Sequence, residues 1–249
     1  MKTVFYTDKG KVRQHNEDSV DVFKNSHGDY LAVVADGMGG HRAGDVASQL
    51  AISTLKNIWE NTDKFKTADQ AENWLKTTIN EVNQEVYSYS QSHTECEGMG
   101  TTLVGAICTP LFATIVNIGD SRGYILNENG FHQLTEDHTL VNELVRSGEI
   151  SKEDAEHHPR KNVILRAIGT ETTISMDIKT IMFEDDDVLL LCSDGLSNKV
   201  SEQEMKEILS NDDSLENKGE KLVHLANDYG GEDNITVLIV EYAAETESG

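Results

Sequence analysis

The sequence predicts an α+β sandwich built mostly from antiparallel sheet. Three observations carry this reading. Strand-like runs follow one another through gaps too short for crossover helices, amphipathic segments come in pairs between those runs, and acidic residues recur where apolar runs stop.

The first forty residues read as strands VFYT, SVDVF and YLAVVAD, separated by turn material at Asp8-Lys9-Gly10 and Ser26-His27-Gly28-Asp29. A helix is expected after Gly39-Gly40, because Ala47, Leu50, Ala51, Leu55, Ile58 and Trp59 fall on one face at helical spacing. Trp74, Leu75, Ile79, Val82, Val86 and Tyr89 repeat that spacing in a second helix. Strand character returns in TTLVGAIC, FATIVNIG, GYIL and FHQL. From 138 to 169 the pattern turns helical and charged: TLVNELVRSG ends on Gly148, and a capping box of Ser151 with Asp154 starts SKEDAEHH. This stretch is an insertion between sheet strands. TTISMDIKTI and DVLLLCS resume the strands, SEQEMKEILS and GEKLVHLAND read as closing helices, and NITVLIVEY as the last strand.

The chain of 249 residues has no Pro/Ser-rich divider, so residues 1–242 are expected to form one domain, followed by a polar tail at 243–249. Its 21 basic and 44 acidic residues leave a net charge of −23, which argues against nucleic acid or an anionic membrane as a partner. Screening beyond about 8 Å makes local Arg and Lys more important to a phosphorylated ligand than that total. Cys96, Cys108 and Cys192 are odd in number and widely spaced, which points away from a disulfide framework or a zinc site. The N-terminus lacks an apolar run of signal length and no segment approaches a membrane span, so a soluble cytoplasmic protein is expected.

The acidic residues are Asp36 in VVADGMGG, Asp120 in VNIGDSRG, Asp194 in LLLCSDGL and Asp233 in GGEDNITV, with Glu17 and Asp18 in RQHNEDS. A lone Asp-Gly is what a tight turn uses. Here Asp36 and Asp194 follow apolar runs of the buried kind, where a carboxylate without a partner costs several kcal/mol. Two carboxylates about 4 Å apart repel by roughly 4 kcal/mol at an effective dielectric of 20, a cost that hard divalent cations remove. A magnesium or manganese site is the economical reading.

RQHNEDS, VVADGMGGHRAG, GMGTTL, NIGDSRGY, LTEDH, LLLCSDGL and GGEDNITV, in this order, resemble the motifs of the metal-dependent protein phosphatases, the type 2C serine/threonine family, and DGMGGH resembles its bacterial branch. The resemblance runs from about Thr7 to Tyr242. It implies a four-layer α-β-β-α sandwich of two antiparallel sheets flanked by helix pairs, with a flap over 138–169 beside a binuclear Mn²⁺ or Mg²⁺ centre. It also implies that Asp36 bridges the two metals, that the Gly37 carbonyl ligates one, and that Asp194 and Asp233 hold the other. Asp120, with Asp194, is implied in a third, weaker metal site, and Glu17 and Asp18 in ligating the metals or ordering waters on them. Hydroxide formed from water shared by the two cations then attacks the phosphorus of phosphoserine or phosphothreonine in line. Arg13 matches the family's phosphate-binding arginine and offers a bidentate fork. The resemblance further implies phosphoprotein substrates, a serine/threonine kinase whose work is opposed, and a monomer.

Met38 stands where animal relatives place a histidine near the leaving oxygen, which leaves His41 or a metal-bound water as the proton donor. Asn234 is read either as orienting Asp233 or a metal water, or as a turn residue. Thr101 and Thr102 are assigned to strand pairing and the floor of the site. His157-His158 is read as exposed surface, and Arg160, Lys161 and Arg166 either hold phosphorylated substrate or are solvated surface. A nucleotide hydrolase reading lacks a P-loop or Rossmann glycine pattern. A binding module that had lost catalysis would lack metal carboxylates, and none of the principal four is missing.

Overall fold

The computed structural model describes residues 1–40 and 43–242, so His41 and the tail after Tyr242 lie outside the described residues. One sheet contains β1 (Lys2–Asp8), β7 (Arg122–Asn127), β8 (Gly130–Gln133), β10 (Val188–Cys192) and β11 (Ile235–Glu241), in the order β1-β11-β10-β7-β8. The other contains β2 (Asp18–Lys24), β3 (Tyr30–Met38), β5 (Leu103–Cys108), β6 (Phe112–Ile118) and β9 (Asp177–Met182), in the order β2-β3-β5-β6-β9, with β4 (Gly100–Thr101) beside β3. Neighbouring strands pair antiparallel throughout.

Alternation along the central strands builds the layers. In β3, Leu31, Val33 and Ala35 face a core shared with α1 (Ala43–Trp59) and α2 (Ala68–Ser92), while Ala32 and Val34 face the other sheet. In β10, Leu189 and Leu191 point between the sheets, and Leu190 and Cys192 point to a core shared with α5 (Asp194–Ser197), α6 (Glu202–Leu209) and α7 (Leu215–Asp228). Strands buried on both faces read as continuous apolar runs, which is why VVA and LLLC are so apolar. Trp59 is fully buried, stacked on Phe65 and edge-on to Trp74, and it locks the α1–α2 turn. Cys96, Cys108 and Cys192 are free and buried, and among the described residues no helix is long and apolar enough to cross a membrane.

Four elements depart from the sequence reading. The strand expected over TTISMDIKTI begins only at Asp177, which pairs with Asn117 near the end of β6; the residues before it have no strand to pair with, and Ile174 and Met176 pack on the helical core instead. TTLVGAIC is split at Thr102, whose N–H is drawn to the Asp36 carbonyl. The helix expected at GEKLVHLAND starts earlier, at Leu215, because Ser214 caps it by accepting from Asn217 N–H. At Ser151 only half of a capping box forms: the hydroxyl accepts from Asp154 N–H, while the shorter aspartate bonds back to that hydroxyl.

The 138–169 segment carries the short helices α3 (Leu140–Arg146) and α4 (Lys152–Glu156). Its two ends are pinned together where Leu140 N–H meets the Val163 carbonyl and Leu165 N–H meets the His138 carbonyl.

Candidate metal centre at one end of the sandwich

The acidic residues come from both sheets and collect at one end. Asp18 opens β2 and faces Asp36 of β3 directly across the ladder. Asp120 lies just past β6, Asp194 is the first residue of α5 after β10, and Asp233 lies just before β11. Like charges opposed across an antiparallel pair destabilise it, so the Asp18–Asp36 pairing runs against what sheet packing alone favours.

Hydrogen bonds hold the Asp18 and Asp194 carboxylates and the Asp36 main chain in place. Asp18 Oδ2 accepts from Ser193 Oγ at 2.7 Å and from Thr236 Oγ1 at 2.6 Å. Because Thr236 donates there, it accepts from Thr7 at 2.8 Å, and Thr7 in turn accepts from Asn16 Nδ2 at 2.8 Å. The Asp36 main chain is clamped by threonines: its N–H donates to Thr102 Oγ1 at 3.0 Å, and its carbonyl accepts from Thr101 Oγ1 at 2.9 Å. Thr101 and Thr102 thus hold the Asp36 main chain between them. Gly37 N–H donates to the Glu17 carbonyl at 3.1 Å, and that carbonyl also accepts from Ser48 Oγ at 2.6 Å. A Cβ at Gly37 would sit 2.0 Å from the Gly44 carbonyl oxygen and 2.6 Å from that of Glu17, so only glycine permits this approach. Asn198 Nδ2 donates to Asp194 Oδ2 at 3.0 Å.

Asn234 has a role the sequence reading missed. Its Oδ1 accepts from Glu17 N–H at 2.8 Å, and its Nδ2 donates to the carbonyls of Lys9 and His15, each at 2.9 Å. It therefore fastens the 9–17 loop that carries Arg13, while Asp233 Oδ1 is bonded by the Asn234 main-chain N–H at 2.8 Å. Arg13 reaches Asp233 Oδ2 at 2.7 Å, which sets the guanidinium beside the acids. Arg166 is drawn away from the surface role considered above, since it pairs with Asp177 at 3.1 Å at the base of the insertion. Arg160 and Lys161 are exposed, as is His157.

Burial and mutual repulsion push Asp18, Asp36, Asp120 and Asp194 up. Asp18 and Asp120 each rise to about 7 and Asp194 to about 6, and Asp36 rises well above the carboxylate range through burial and the charges of Asp18, Asp194 and Asp120. In Asp18 the bonds from Thr236 and Ser193 oppose the rise, as a hydrogen bond with Asp36 does in Asp194. Glu17 is raised by burial, against the pull of Arg13.

Among the described residues no three His, Cys, Asp or Glu side chains stand together as a group that could hold a metal ion. The donor set still fits a hard cation. It is all oxygen, it is repulsive without a counter-charge, and Asp18 Oδ1 and Asp120 Oδ1 are buried with no hydrogen-bond partner.

Acids raised in the fold hold protons that the unfolded chain, with carboxylates near 4, has already released. The metal-free fold therefore loses stability as pH rises from about 4 through 7. A chelator-treated sample should melt at a higher temperature at pH 5 than at pH 8, and Mn²⁺ should shrink the difference. A metal-free melting temperature that climbs between those pH values would contradict the coupling.

A family model described as protein phosphatase 2C matches residues 8–236. The chain is 53% identical over 241 residues to the serine/threonine phosphatase stp of Listeria monocytogenes, covering 97% of this chain and 96% of that one. Among solved structures it resembles the serine/threonine phosphatase Stp1 from Staphylococcus aureus with a TM-score of 0.91 and 39% identity, over 97% and 94% of the two chains. It also resembles the catalytic domain of the serine/threonine protein phosphatase PstP in complex with two manganese ions, with a TM-score of 0.85 and 33% identity over 97% and 98%.

Proposed function

Because this chain belongs to the protein phosphatase 2C family and is thereby a metal-dependent serine/threonine phosphatase acting on phosphoproteins, we propose that Asp36, the Gly37 carbonyl, Asp194 and Asp233 hold two Mn²⁺ or Mg²⁺ ions. Asp120 with Asp194 would hold a third, and Glu17 and Asp18 would ligate directly or order waters. The observation that carries this reading is the convergence of carboxylates from both sheets, two of them with orphaned buried oxygens, with Arg13 beside Asp233.

Bound cations would supply Lewis acidity, acidifying water and offsetting charge on the phosphate oxygens. The chain's own residues do the rest. Arg13, swung from Asp233 onto the substrate, offers paired N–H donors to the non-bridging phosphate oxygens, and Asn234 sets its reach by pinning the loop on both sides. The Asn16–Thr7–Thr236 relay directs a donor at Asp18, keeping that carboxylate as an acceptor whose second oxygen is buried and unpartnered. The clamps on the Asp36 main chain hold its carboxylate in place against its like-charged neighbours. Met38 brings no proton donor, and His41, three residues on, is the nearest histidine in sequence. Residues 1–242 act as one catalytic domain with the 138–169 flap, as a cytoplasmic monomer opposing a serine/threonine kinase.

Phosphate release from a phosphothreonine peptide, measured with Mn²⁺, with Mg²⁺ and after chelation, tests the reading. Turnover that needs either ion is expected. Turnover that survives chelation refutes the metal assignment, and folded protein without turnover under any metal refutes the assignment of these residues to catalysis.

A further inference from the structure

Three parts of the molecule meet on His138, and the chemistry above does not use it. The residue opens the 138–169 insertion and is 7% exposed. Its main-chain N–H donates to the Gly119 carbonyl at 2.9 Å, and its ring Nδ1 accepts from the Gly119 N–H at 3.1 Å. One residue thus holds both polar groups of the glycine preceding Asp120. Gly119 has φ +103, and a Cβ there would lie 2.6 Å from Thr102 Cγ2, beside the threonine that clamps Asp36. The other ring nitrogen, Nε2, lies 3.1 Å from Asp177 Oδ2.

An imidazole nitrogen that accepts carries no proton, so neutral His138 bears its proton on Nε2 and donates it to Asp177. Arg166 NH1 lies 3.1 Å from that same nitrogen and 3.1 Å from Asp177 Oδ1. Both groups are donors, so they meet on the carboxylate, one on each oxygen, rather than on each other. The His138 carbonyl accepts from Leu165 N–H at 2.8 Å, which closes the base of the insertion.

We propose that His138 is a positioning residue: Asp177 fixes its tautomer, its Nδ1 fixes the Gly119 peptide, and that peptide aims Asp120 at Asp194. The inference rests on the reading of Asp120 as a metal ligand. Partners that orient a ligand from behind typically contribute about ten- to a hundredfold in metal affinity. The arrangement also makes the foot of the insertion and the Asp120 ligand parts of one hydrogen-bonded unit.

Two replacements separate acceptor from bulk. Asparagine places its Oδ1 where Nδ1 stands and keeps an acceptor for Gly119, whereas glutamine reaches Asp177 but leaves the Gly119 N–H unpaired. Mn²⁺ binding to the full chain is titrated by calorimetry without substrate, with melting temperature followed in parallel. Asp120→Asn is expected to weaken one step of the isotherm. His138→Gln is expected to weaken the same step about tenfold, His138→Asn to restore it to within about threefold, and His138→Gln to add nothing in the Asp120→Asn background.

Equal losses for the asparagine and glutamine variants, or a full glutamine effect in the Asp120→Asn background, overturn the inference while leaving Asp120 a ligand. An Asp120→Asn isotherm like wild type overturns the ligand reading and this inference with it. Nitrogen-15 NMR of the His138 ring provides a test that needs no His138 variant. Nε2–H is expected in the wild type, and a shift toward Nδ1–H with weaker Mn²⁺ binding in Asp177→Asn. An Nδ1–H ring in the wild type overturns the inference.

Discussion

Asp36→Asn should lower phosphatase activity by at least about a thousandfold and remove tight Mn²⁺ binding, while the chain remains folded. Asp36 is the acid whose charge is opposed by most of its neighbours: Asp18 across the strand pair, then Asp194, Asp120 and Asp233. An amide of the same shape keeps the main-chain bonds to Thr101 and Thr102 and deletes one of the repelling charges. In chelator at pH 8 the variant should therefore melt above the wild type, and with Mn²⁺ the order should reverse, because only the wild type gains from the metal. A variant that keeps wild-type turnover and metal dependence would show that Asp36 does not bridge.

Arg13→Ala should lower kcat/KM by about a hundredfold, the size of losing one donor aimed at developing charge. Its effect on stability should be small, below about 1 kcal/mol, because the side chain is 52% exposed and its pairing with Asp233 is solvent-screened. Half-saturating metal should not rise, since Asp233 is relieved of a competing cation. Lys at position 13 should recover little, as an ammonium offers a point charge instead of a planar fork. A parallel loss in metal affinity and turnover would instead mean that Arg13 shapes the metal site.

The strands and paired helices were legible because each rests on local periodicity, and β3 and β10 announce their double burial as unbroken apolar runs. The clustered acids were legible because Asp36, Asp120 and Asp194 follow such runs beside a glycine or serine, and Asp18 and Asp233 stand just before the next one. What was not legible is held by hydrogen bonds between residues far apart in the chain. Ser193 and Thr236 reach Asp18 across 175 and 218 positions, and a hydroxyl in a strand carries no periodic signal of its target. Asn234 was expected to serve Asp233 or its waters, yet its side chain is spent on the 9–17 loop. Arg166 was open between holding phosphorylated substrate and solvated surface until the fold brought Asp177 beside it. The strand before Asp177 failed because propensity cannot report that β6 has run out.

The two ends of the chain are sheet neighbours: β1, which starts at Lys2, pairs with β11, whose register runs from Glu241 back to Ile235. Asp233 and Asn234 stand at the foot of that last strand, and the loop they hold follows β1 directly. Asp233 follows Asp36 by 197 positions, so the acids of the first forty residues are made long before the last of the partners that complete the cluster. Until that last strand pairs with β1, the Asp18–Asp36 pair meets only part of the repulsion that the finished fold bears. The cluster is complete only when the closing strand docks beside β1.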